Sequence, residues 1–115
     1  MGERYDLEDR TLKFGKDVIN LCKSLPANVV NFKLIDQVVR SGTSMGANYR
    51  EANETETQKD LRHKIRICLR EGKETIYWLE LSIEANPEYK DKIQKLIDEN
   101  RELVKIFGSI LIKCS

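Results

Sequence analysis

Apolar residues recur along this chain at steps of three and four, and the pattern is broken at only three places. The first run places Leu7, Phe14, Val18, Leu21 and Leu25 on one face, with Ile19 and Cys22 widening it. Steps of this kind mark an amphipathic helix. Asp6 can cap its start, and Glu8 and Asp9 suit its positive end. Pro26 stops it, because the residue before a proline resists helical angles. A second run joins Ile35, Val38, Gly42, Met45, Tyr49 and Ala52. Asn31 is the expected cap, and Phe32 falls in the first turn. Thr55 with Gln58 reads as a capping box for the third helix. That helix carries the seam Leu61, Ile65, Leu69, Gly72, Ile76, Leu79 and Ile83. Asn86-Pro87 then ends one helix and starts another, with asparagine as cap and proline in the first helical position. The last seam is Ile93, Ile97, Val104, Phe107 and Leu111, flanked by Leu96, Leu103, Ile106 and Ile110 and interrupted by Asn100. A polar residue inside such a seam often sets register.

These runs predict helices over about 7–25, 32–53, 56–85 and 87–113. Three short connections favour antiparallel neighbours. The expected fold is all-α, an antiparallel up-down-up-down four-helix bundle, in one domain over 1–115. No strand alternation or internal repeat competes with it.

The segment from Arg40 to Glu54 tests this reading hardest. Gly42 and Gly46 lie in it with Ser41, Ser44 and Ala47. Glycine costs a helix about 1 kcal/mol against alanine, so a loop is the competing reading. The apolar spacing continues through the segment without a proline, which places it mid-helix. The glycines then need a reason, and close approach of a neighbouring helix supplies one. Gly72 stands at the centre of the third seam, so Gly72 facing Gly42 or Gly46 is the expected crossing.

Arg-Ser-Gly-Thr-Ser-Met-Gly-Ala-Asn-Tyr-Arg-Glu-Ala begins at Arg40. It is followed by Lys-Asp-Leu-Arg-His-Lys-Ile and then Tyr-Trp-Leu-Glu. Together these resemble the bacterial four-helix bundle proteins encoded within intervening sequences of 23S ribosomal RNA genes. The accessory protein of diversity-generating retroelements is a relative of that family. The resemblance runs from Asp9 to about Ile112. It implies the bundle fold and assembly as rings of five, and it implies no reaction. The retroelement relatives are strongly basic and associate with nucleic acid and a reverse transcriptase. This chain has 20 Lys and Arg against 19 Asp and Glu, a departure that weakens transfer of that activity.

Composition narrows the function classes. A chain of 115 residues, 34% of them charged, has room for one modest core. The three cysteines, Cys22, Cys68 and Cys114, are too few and too scattered for a disulfide framework or zinc motif. Free thiols in a reducing cytoplasm are the plain reading. The charged start lacks a signal peptide's apolar run, and no stretch approaches the ~20 apolar residues of a membrane span. The expectation is a cytoplasmic protein with no membrane contact.

Candidate chemistry is sparse. His63, the one histidine, lies among Arg62, Lys64 and Arg66 and reads as a surface residue. The serines near Gly42 do not form a nucleophile elbow, and the glycines follow no strand. No catalytic, cofactor or metal site is expected, and no enzyme. Three surface features remain. Arg40, Ser44, Asn48 and Glu51 form a polar ridge, read as a network flanking the core or as a partner-binding row. Lys59, Arg62, Arg66, Arg70 and Lys73 form a basic stripe ~20 Å long, able to hold phosphates of RNA or DNA. The bland alternative is a solvated helix face. Tyr77 and Trp78, with Ile67, lie outside the seam where aromatics mark a subunit interface. The leading expectation is a non-enzymatic self-associating scaffold or adaptor, a pentamer by the resemblance. A nucleic-acid-binding accessory protein is the alternative.

Overall fold

In the computed structural model, residues 3–114 are described, with side chains from residue 7 onward. The four helices are α1 (Glu3–Ser24), α2 (Val29–Ala52), α3 (Gln58–Ala85) and α4 (Lys90–Lys113). A short 3-10 turn, Pro87–Tyr89, precedes α4. The segment carrying Gly42 and Gly46 is continuous helix, as the spacing required. α1 begins at Glu3, four residues before the expected Leu7, so Asp6 lies within the first turns of the helix and not at its cap.

Two of the expected caps sit elsewhere, and a third does not form. Asn28, three residues before Asn31, caps α2: its Oδ1 accepts from the Asn31 N–H at 2.8 Å. Thr57 caps α3 by accepting from the Asp60 N–H at 3.1 Å. Thr55 instead closes the end of α2, its hydroxyl donating to the Ala52 carbonyl at 2.7 Å. Asn86 makes no side-chain cap, because its amide is taken by Asn31. The Asn31 Nδ2 donates to Asn86 Oδ1 at 2.8 Å, and the Asn86 Nδ2 donates to Asn31 Oδ1 at 2.9 Å. Both residues are 1% exposed. This reciprocal amide pair ties the first turn of α2 to the residue that directly follows α3.

Contacts join α1 to α2, α2 to α3, α3 to α4 and α4 back to α1. Partner numbers fall along α3 as they rise along α2: Asn31 meets Asn86, Arg40 meets Glu74, and Glu51 meets Lys64. This is the order in which helices of opposite sense meet. One core fills the ring, with Phe14, Val18, Met45, Ile65, Leu79, Ile93, Ile97, Leu103 and Phe107 at its centre.

The buried stripe of α3 is rotated from the expected seam. Ile65, Gly72 and Leu79 are buried as expected, but Cys68, Thr75 and Ser82 complete the stripe. Leu61, Leu69, Ile76 and Ile83 are only partly buried. The hydroxyls can be buried because each is satisfied by its own helix. Thr75 donates to the Glu71 carbonyl at 2.7 Å, Ser82 to Trp78 at 2.8 Å and, on α2, Ser41 to Gln37 at 2.9 Å. A short side chain that bonds its own preceding turn needs no partner on the next helix and lets that helix come close. Ile19, expected to widen the α1 face, is 43% exposed.

The glycines work singly rather than as a pair. A Cβ on Gly42 would lie 3.2 Å from Val18 Cγ2 of α1, and one on Gly46 would lie 3.0 Å from Thr11 Oγ1. A Cβ on Gly72 would lie 2.9 Å from Val104 Cγ2 and 3.0 Å from Met45 Sδ. Each glycine therefore admits a neighbour's side chain, and the expected Gly72–Gly42 or Gly72–Gly46 crossing does not form. Asn100 is fully buried on the α4 side of Gly72, and neither of its amide atoms has a hydrogen-bond partner among the described residues.

Candidate interaction surfaces

The polar ridge lies along the seam between α2 and α3. Arg40 reaches over to α3, where its guanidinium bonds Glu71 at 3.1 Å and also Glu74. Asn48 Nδ2 donates to both the carbonyl and the hydroxyl of Ser44, each at 2.9 Å. Glu51 pairs with Lys64 of α3 at 2.6 Å. So the row couples two helices at its ends and is self-satisfied in its middle. The Trp78 indole N–H donates to Glu74 at 2.9 Å. That bond, followed by the Arg40 guanidinium, holds the Glu74 carboxyl below its usual range.

The basic stripe faces away from the core. Lys59, Arg66, Arg70 and Lys73 are exposed, and none has an ion pair within 4.0 Å among the described residues. Arg62 is set apart from them: it is half-buried and donates to the Cys114 carbonyl at 3.1 Å, at the end of α4. A cation there complements the helix C-terminus. Tyr77, 56% exposed, continues the same line of α3 one turn beyond Lys73.

The aromatic pair divides. Tyr77 points outward, while Trp78 is half-buried against the core edge, its ring edge-on to Tyr77 at 5.1 Å. Ile67 is half-buried too. Val29 and Val30 extend the apolar start of α2 ahead of Phe32, the first-turn residue that the spacing picks out. Val29, Val30 and Phe32 are 74%, 57% and 56% exposed. Their signal was present, since all three fall before the α2 seam begins.

Grooves occur where helices part. Two lie between α1 and α4, of about 400 and 360 Å³. Between them Arg10 holds Glu99 through two bonds of 2.7 Å, which raise the Arg10 pKa. Both α1/α4 grooves mix acidic with basic residues. A third, of about 280 Å³, lies between α1 and α2 over Gly15 and Gly46, with Leu12, Ile19, Lys16 and Arg50 around it. His63 is exposed. No group of three or more metal-ligating side chains forms among the described residues. Burial pushes the thiols of Cys22 and Cys68 up to about 11 and about 12, so they stay protonated and weakly nucleophilic at neutral pH. No described helix is long and apolar enough to cross a membrane.

Four helices in a closed ring around one core, with their distinctive residues on outer faces, define a helical bundle protein. The comparisons place it more closely. The model of the 23S rRNA-intervening sequence protein family matches residues 3–109, and this chain belongs to that family. A crystal structure from Bacteroides thetaiotaomicron is similar over 91% of this chain and 97% of its own, at 33% identity and a TM-score of 0.81. It is described as a protein of unknown function from the S23 ribosomal protein family. No curated protein matches.

Proposed function

We propose that this chain is a non-enzymatic, self-assembling bundle that acts as a scaffold or adaptor in the cytoplasm. Its expected form is a homo-oligomer, with the ring of five implied by the family resemblance. The observation that carries the reading is the exposed apolar surface. Val29, Val30 and Phe32 on α2 and Tyr77 and Leu81 on α3 stay exposed although the monomer's core is complete. Large apolar side chains left exposed on two neighbouring helices support a reading in which this surface is covered by another chain. The three free thiols fit a reducing compartment. Light scattering at micromolar concentration should give a multiple of the chain mass, and a monomer mass would overturn self-assembly.

The exposed, unpaired row on α3 favours a second reading, a nucleic-acid-binding accessory protein. Phosphate contacts by Lys59, Arg66, Arg70 and Lys73 predict affinity for structured RNA that falls steeply with salt. Arg66→Glu with Arg70→Glu should weaken it further and flatten the salt slope. Absence of binding at low salt removes this reading.

A further inference from the structure

Two surfaces of this chain match in length, each carries exposed apolar side chains, and their charges are opposite. The α1/α2 groove has a floor of small residues, Gly15 and Gly46, between the exposed apolar side chains of Leu12 and Ile19. Its only charged lining residues are Lys16 and Arg50, and neither has an ion-pair partner among the described residues. The groove runs along residues 12–19 of α1 and 43–50 of α2, about 10 Å at the helical rise. On the outer face of α3, Tyr77, Glu80, Leu81 and Glu84 follow one another at steps of three, one and three. All four are exposed, so one strip carries two apolar knobs and two carboxylates over about the same 10 Å. Neither carboxylate is paired among the described residues.

From this complementarity we infer that the occupant of the α1/α2 groove is the outer strip of α3 from a second copy of this chain. Tyr77 and Leu81 enter between Leu12 and Ile19, and Glu80 and Glu84 meet Lys16 and Arg50. The two surfaces lie on different faces of one molecule, so the contact is heterologous, and each copy offers a groove to one neighbour and a strip to the other. Repetition of such a contact builds a ring or an open array. The inference rests on the self-assembly reading and names the residues that would carry it.

Charge reversal tests it, with folding checked by helical circular dichroism and mass followed by sedimentation. The variants Lys16→Glu with Arg50→Glu, and separately Glu80→Lys with Glu84→Lys, should each weaken association by about tenfold or more, because like charges then face each other. The chain carrying all four substitutions, with its net charge unchanged, should recover the wild-type assembly. If the wild type assembles and the double variants assemble equally well, this contact is wrong while self-assembly stands. If both double variants weaken and the fourfold variant does not recover, the two surfaces do not face each other. A monomeric wild type overturns this contact and self-assembly together.

Discussion

Gly72→Leu should destabilise the bundle by about 3 kcal/mol and lower its melting temperature by roughly 10 °C. The Cβ alone would sit 2.9 Å from Val104 Cγ2 and 3.0 Å from Met45 Sδ. Met45 is fully buried, so it has no open space to move into. The α3 backbone cannot withdraw either, since α2 holds one side and α4 the other. Leucine then adds three more carbons where the first has no room. Gly108→Ala on α4 is the matched control. A Cβ there meets nothing within 4 Å, so the change should stabilise by about 0.5–1 kcal/mol through the unfolded chain. Thermal melts of both variants check the pair. Equal melting of Gly72→Leu and wild type would mean that the three helices are not this close.

Asn86→Ala carries the next largest expected loss, about 2–3 kcal/mol. It deletes the donor to Asn31 Oδ1 and the acceptor for Asn31 Nδ2, and also the Nδ2 bond to the Ser82 carbonyl at 3.0 Å. Asn31 keeps only its 2.8 Å bond to the Pro26 carbonyl, and its amide oxygen is left buried without a donor. Urea denaturation of Asn31→Ala, Asn86→Ala and the double variant forms a cycle. The double variant should cost clearly less than the sum of the singles, with a coupling of about 1–2 kcal/mol. Strict additivity would show that the two amides do not act as a unit.

Both sites lie where local pattern and tertiary contact disagree. Asn31 read as a cap because caps and buried amides draw on the same residue types. Asn28 stands three positions earlier and takes the cap, which frees Asn31 to face α3. Gly72 stood at the centre of an apolar seam, yet its neighbours proved to be Val104 and Met45 rather than another glycine. Candidate surfaces split in the same way. The basic stripe was legible because helical spacing alone puts its members on one side. The loss of Arg62 to the Cys114 carbonyl was not, because the end of α4 is 52 residues away. The α1/α2 groove was invisible for the same reason: Leu12 and Ile19 become its walls only once α2 lies beside them.

What the sequence determined alone was the number of helices, their approximate limits and the helical state of residues 40–52. Those follow from periodicity, proline positions and the unbroken apolar spacing across the glycines, all of them local or short-range. Only the tertiary structure decided which face of α3 turns inward. Apolar count favours the side of Leu69, Ile76 and Ile83, but close packing against α2 favours the side of Cys68, Thr75 and Ser82. The close-packed side wins because its hydroxyls are already bonded within their own helices, so burying them costs little and brings the helices nearer.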